Sequence, residues 1–226
     1  MPSYILAHDI GTSGNKAALF DEHGALVSST TVPYATYIAD SVCIEQSAED
    51  WWKAVSLATK QVLQGIAPSD VVAIGVSGQM IACLPVDRLG NPLHNAIIWS
   101  DTRAVQEAEA LRAAFGEPTL YHITGQPVSP NYVLPKIMWF KAHYPQLYKE
   151  TFCFLQSKDF VNARLTGGVI KTDPTDAAYT LAYDIGRGCW SEQILSFAEI
   201  SKDKFPEVVP CGTIIGKVCK KAADAC

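Results

Sequence analysis

Basic runs, paired cysteines and long apolar stretches are all missing from this sequence, and each absence removes a class of function. Charge is scarce: Asp, Glu, Lys and Arg make up 18% of the chain, below the roughly 25% usual for soluble domains. The balance is acidic, 18 Lys and Arg against 23 Asp and Glu, for a net charge of −5. A mildly acidic chain without a basic cluster makes a poor nucleic-acid binder, so no nucleic-acid partner is expected. No apolar stretch reaches the roughly 18 residues of a membrane helix. The start, MPSYILAHDIG, has no basic region and loses its apolar run at His8-Asp9, so no secretory signal and no membrane partner are expected. The seven cysteines are odd in number, none at CxxC spacing and none in a zinc-type Cys/His cluster. They predict reduced, mostly buried thiols in a cytoplasmic protein. Two nucleotide signatures are absent too: GxxxxGK followed by Ser or Thr, and GxGxxG after a strand.

What is present is a chain of 226 residues, 48% of them hydrophobic, enough for a core without disulfide or metal support. No repeat or low-complexity linker marks an internal boundary. SYILAHDIG, KAALF and ALVSSTTV read as three strands joined by tight turns, hence an antiparallel meander. Ser47 with Glu49 and Asp50 marks a helix start, and Trp51, Val55, Ala58, Val62 and Leu63 fall on one helical face. VVAIGVSG, residues 71–78, has no polar face and predicts a central strand covered on both sides. NAIIWSD reads as another buried strand, Arg103–Phe115 as a helix, 119–165 as mainly helical, and the tail PCGTIIGKVCK as strand-like. Strand-strand-strand-helix-strand is not the alternation of a doubly wound dinucleotide fold.

Asp9-Ile10-Gly11-Thr12-Ser13-Gly14-Asn15-Lys16 lies between the first two strands. Gly11 and Gly14 permit close approach, exposed amides in such a turn form an anion-binding concavity, and Thr12 and Ser13 add hydroxyls. Asp9 could hold Mg²⁺, which takes one or two carboxylates plus phosphates, and Lys16 adds positive charge. An ordinary hairpin turn fits the same residues. Ser77-Gly78-Gln79-Met80 and Trp99-Ser100-Asp101-Thr102-Arg103 end the next buried segments, where open sheets bind ligands. Gln79 and Asp101 can bond sugar hydroxyls and Met80 and Trp99 offer apolar walls; Asp101 fits a helix N-cap equally well.

Taken in order, DIGTSGNK, VSGQM, IIWSDTR, LPKIMWFKAHYP, LQSKDFVNARLTGG and TDPTDAAYTLAYD resemble the FGGY carbohydrate kinases, xylulokinase type, across essentially the whole chain. The resemblance implies an α/β fold of the ribonuclease H-like (actin/hexokinase) type, a mixed β-sheet flanked by helices. It implies ATP-dependent phosphorylation of a small sugar or polyol, with ATP and Mg²⁺ as cofactors. By similarity Gly11, Thr12, Ser13 and Lys16 bind ATP phosphates, Asp9 the metal, and Gln79, Met80, Asp101 and Arg103 the sugar. Asp159 and Asp176 lie in matching segments.

Two departures stand out. Xylulokinases typically carry Met-His-Gly in the sugar loop, whereas Ile81-Ala82 follows Met80 here, which puts xylulose itself in question. The family's base, an Asp in a G-x-G-D segment, is expected beyond Cys226, so residues 1–226 correspond to the N-terminal domain, with its own C-terminal domain as a partner and no catalytic base in this stretch. The fragment alone is expected to be inactive. Relatives are often dimers, leaving a homodimer open. A catalytically silent sugar-sensing module of the same fold is the alternative function, and an actin-like ATPase or scaffold a third.

Overall fold

The computed structural model describes residues 3–226. β1 (Tyr4–Ile10), β2 (Gly14–Asp21) and β3 (Leu26–Pro33) form the expected antiparallel meander. Alternation decides what faces inward: Leu6, His8 and Ile10 are buried while Ile5 and Asp9 are exposed. Asp21 tightens the β2–β3 reversal by accepting from the His23 and Ala25 amides at 2.9 and 2.8 Å, and Gly24 there sits at φ +79°. After β4 (Tyr37–Ile38) and β5 (Ile44–Gln46), α1 (Ala48–Val62) buries Trp51, Val55, Ala58 and Val62. Ser47 is at the N-cap position, yet its hydroxyl makes no cap bond. β6 (Val71–Gly78) then pairs parallel with β1, giving a mixed sheet in the order β3-β2-β1-β6.

β6 is an edge strand rather than the central one its composition predicts. Val72 is 66% exposed, and Ala73, Gly75 and Ser77 are exposed as well. The register gives the reason. Ile74 lies opposite Leu6 and Val76 opposite His8, on the face packed by α1. Ala73, Gly75 and Ser77 lie opposite Ile5, Ala7 and Asp9, on a face left largely open. An all-apolar run says nothing about which strand neighbours it.

The second half is mostly helical. β7 (Leu84–Val86) and β8 (Ala96–Ile97) lead to α2 (Val105–Phe115), α3 (Glu117–Thr124), α4 (Val133–His143) and α5 (Pro145–Glu150). Then come β9 (Cys153–Leu155), which pairs with β7, and α6 (Ser157–Thr166). The remainder alternates short pieces: β10 (Lys171–Thr172), α7 (Pro174–Ala178), β11 (Tyr183–Asp184), β12 (Cys189–Trp190), α8 (Glu192–Ala198), β13 (Glu207–Val208) and α9 (Lys220–Ala225). One apolar cluster joins α1, β7, β9 and α6, with Trp51 edge-on to Phe160 at 6.3 Å. Another gathers Leu111, Leu120, Ile137 and Phe140 of the helices around Phe154. Each such side chain contributes about 1.5–3 kcal/mol through burial.

Four further expectations need correction. α2 opens at Val105, not Arg103, because Asp101 accepts the Arg103 amide in a turn at 3.0 Å; Ala104, not Asp101, is the N-cap. The buried strand read in NAIIWSD shrinks to the two residues of β8. The tail forms no strand across PCGTIIGKVCK: Ile214 is 91% exposed and a short helix follows. All seven cysteines are free, but only Cys83 and Cys153 are buried, and Cys189 and Cys211 are exposed. Among the described residues no helix is long and apolar enough to cross a membrane.

His8 lies beneath the sheet between Asn15 and Thr59, with 3.2 Å contacts to the Asn15 amide (Nδ1) and the Thr59 hydroxyl (Nε2). Burial pulls its pKa from 6.5 down to about 4, against the Asn15 bond. The unfolded chain therefore binds the extra proton between pH 6.5 and 4, and stability falls as pH falls through that window. The loss amounts to about 3 kcal/mol once both states are protonated. Urea denaturation at pH 4 and 7 should show that difference shrinking in His8→Gln relative to the unaltered protein. An equal acid loss in both would remove His8 as its source.

Candidate functional site

The β1–β2 turn is a short, internally braced bend. The Gly11 amide donates to Gly14 O at 3.0 Å, and the Tyr34 hydroxyl donates to Gly11 O. The amides of Thr12 and Ser13 donate to no acceptor among the described residues, and both residues are exposed. Neither Gly11 nor Gly14 has a positive φ. What Gly14 supplies is closeness: a Cβ there would lie 2.7 Å from Val32 O. Lys16 is already inside β2, directly across from Asp9, and Ser77 flanks Asp9 on the other side, its hydroxyl donating to Asp9 Oδ1 at 3.2 Å. All three are exposed at one end of the open sheet face.

Gln46, fully buried at the end of β5, ties this turn to the next loop. Its Nε2 donates to Thr12 O at 2.7 Å and to the Thr36 hydroxyl at 2.8 Å. Its Oε1 accepts from Trp51 Nε1 at 2.9 Å and from Gln79 Nε2 at 2.7 Å. Trp99 makes a second tie, its indole donating to Thr12 Oγ1 at 3.0 Å while its carbonyl accepts from Asn131 at 2.8 Å. Gln79 and Met80 follow β6 directly, half-buried. Gly78 is needed where it stands: a Cβ would sit 2.8 Å from Ser157 Oγ and 3.2 Å from Ile10.

Asp101 and Arg103 are brought to the same region, but in each other's company. Asp101 is fully buried; it accepts from the Ile44 amide at 2.6 Å and from Arg103 Nη2 at 2.7 Å. Arg103 also pairs with Glu45 at 2.9 Å and lies over the Trp139 ring at 4.8 Å. Burial alone would lower the guanidinium's pKa, but bonding to Asp101 and Glu45 outweighs it and the net shift is upward. This pair braces β5 against the 98–103 turn. Asp159 and Asp176 stand apart from the exposed shelf: both are buried, near Lys158, and Asp159 closes the capping box that opens α6. Burial, then the charge of Asp176, holds the Asp159 carboxyl well above its usual range, and burial raises Asp176 to about 6.

Gln46, Asn131 and Tyr34 went unnoticed in the sequence because no local motif surrounds them; the bonds that tie them to the site, to Thr12, Trp99 and Gly11, span 34, 32 and 23 residues. For a metal, Asp9 is the single exposed carboxylate beside the turn, and no cluster of three His, Cys, Asp or Glu exists among the described residues. That donor set fits Mg²⁺ held mainly by phosphate and water and does not fit an all-protein metal cage. The free Thr12 and Ser13 amides fit an anion.

A mixed β3-β2-β1-β6 sheet with an open turn after β1 defines the class: an actin- and hexokinase-like fold. Residues 4–226 match the model of the FGGY family of carbohydrate kinases, N-terminal domain, and the chain belongs to that family. The xylulose kinase of Staphylococcus xylosus is 33% identical over 222 residues, 98% of this chain and 46% of that protein. A glycerol kinase of Brucella ovis is 33% identical over 224 residues, 96% of this chain and 45% of that protein. Among solved structures, the gluconate kinase of Lactobacillus acidophilus superposes with a TM-score of 0.93 at 24% identity, over 100% of this chain and 45% of its own. The chain thus spans less than half the length of these relatives.

Replacing Gln46 by Leu strands the buried Trp51 Nε1 at about 1–3 kcal/mol and also removes the partners of the half-buried Gln79 Nε2 and of Thr12 O. Gln46→Leu should therefore lower the midpoint in urea by an amount matching several kcal/mol. A loss under about 1 kcal/mol would show that water or repacking replaces the amide.

Proposed function

We propose that this chain is the acceptor- and phosphate-binding half of an ATP-dependent kinase for a small sugar or polyol, acting in the cytoplasm. The observation that carries the reading is the shelf itself: free Thr12 and Ser13 amides beside the exposed Asp9 carboxylate, tied through Gln46 to Gln79. A phosphoryl donor would lay its terminal anion on the two amides, with Lys16 adding charge. Asp9 would hold Mg²⁺ through water, and the ion would neutralise charge on the transferring phosphoryl group. Gln79 and Met80 would meet the acceptor, and Asp101 and Arg103 would line its far side, the pair acting mainly by shaping the 98–103 turn. The carboxylate that takes the acceptor's proton is supplied by the C-terminal half, which also closes the cleft against water. Relatives named for xylulose, glycerol and gluconate argue for a polyhydroxylated acceptor of three to six carbons without selecting one.

In the full-length chain, ADP release measured with Mg-ATP and D-xylulose, glycerol or D-gluconate should identify an acceptor. Asp9→Asn should then cut kcat by about a hundredfold or more, with the acceptor's KM within about threefold of its starting value. Unchanged Mg²⁺-dependent turnover in Asp9→Asn would take Asp9 out of the phosphate site. Residues 1–226 alone should release no ADP above background.

A further inference from the structure

Ile81 has φ +70°, a left-handed conformation that a β-branched residue rarely adopts. Such strain persists only where the surroundings over-determine it, and here both of its backbone groups are bound by buried side chains. Its amide donates to Gln156 Oε1, whose Nε2 in turn donates to Asp176 O at 2.7 Å. Its carbonyl accepts from Lys136 Nζ at 3.1 Å. Lys136 is fully buried in α4 and also donates to Ile98 O at 2.7 Å. Two residues earlier on the loop, Gln79 O accepts from the buried Ser157 hydroxyl at 2.8 Å.

Ile81 ends the Gln79–Met80 loop, and Ile98 precedes the Trp99–Arg103 turn. One amine therefore links the two segments read above as the acceptor's walls, on the loop side of the Cys83–Ile97 backbone bridge that pairs them at 2.9 and 3.1 Å. We propose that Lys136, with Gln156 and Ser157 behind it, is a positioning residue for the acceptor: it fixes the gap between the 79–81 loop and the 98–103 turn, without touching the acceptor. The proposal rests on the kinase reading. Burial also pulls the Lys136 amine down to about 7. A neutral amine has two N–H donors, which matches the two carbonyls it meets. No carboxylate lies in salt-bridge contact with it among the described residues, in keeping with a structural donor rather than a surface ion pair.

The test uses the full-length chain, Mg-ATP and the panel of D-xylulose, glycerol and D-gluconate, comparing Lys136→Met and the milder Ser157→Ala with the unaltered protein. A loop displaced by about 1 Å costs up to about a hundredfold. The acceptor's KM should therefore rise about tenfold or more in Lys136→Met and severalfold in Ser157→Ala, while the KM for ATP stays within about twofold. Amide exchange of residues 79–83 and 98–103 should quicken in Lys136→Met, with the β1–β2 turn unchanged. Equal rises in both KM values, or no rise in a variant that folds, would overturn the proposal. Should Lys136→Met fail to fold, Ser157→Ala decides the matter by the same criterion. Absence of turnover in the unaltered protein with every acceptor would instead overturn the kinase reading, and the positioning proposal with it.

Discussion

A single buried carboxamide holds the candidate site together. Gln46 offers two donors and an acceptor, and the structure uses them all: Thr12 O and Thr36 on one side, Trp51 and Gln79 on the other. No apolar side chain could do this, because the groups it joins are one backbone carbonyl and three polar side-chain groups on separate segments. In a low-dielectric interior each of these bonds is stronger than in water, and each missing partner is correspondingly expensive. The β1–β2 turn and the Gln79 loop are thus one unit, and α1 is fastened to it through Trp51.

Around that unit the structure repeats one tactic. Backbone carbonyls at loop ends are capped by polar side chains: Gln79 O by the buried Ser157, Ile81 O and Ile98 O by the buried Lys136, Trp99 O by the half-buried Asn131. The Asp101–Arg103–Glu45 group extends the tactic with charge, and its burial restrains both partners at once. Loops built this way keep their shape without a ligand, so binding spends little free energy on ordering them.

Much of the frame was legible in the residues. Three short strand-like runs joined by tight turns dictated the meander, and the Trp51–Val62 spacing dictated the helical face. The turn at Asp9–Lys16 could be placed from glycine and hydroxyl content alone. Other features were not legible, for a common reason: they depend on partners far along the chain. The edge position of β6, the pairing of β7 with β9 and the Gln46 hub are long-range facts that no local pattern encodes. Asp101 is instructive in the opposite sense. Its place in the sequence suggested contact with a sugar, yet the structure gives its carboxylate to a neighbouring guanidinium and an amide.

The unaccompanied side of β6 has a material consequence. A row of main-chain groups bordered by Val72 and Ala73 is a ready template for another extended peptide. An extended segment laid along that border would lengthen the sheet by one strand, its main chain taking up groups that now face water.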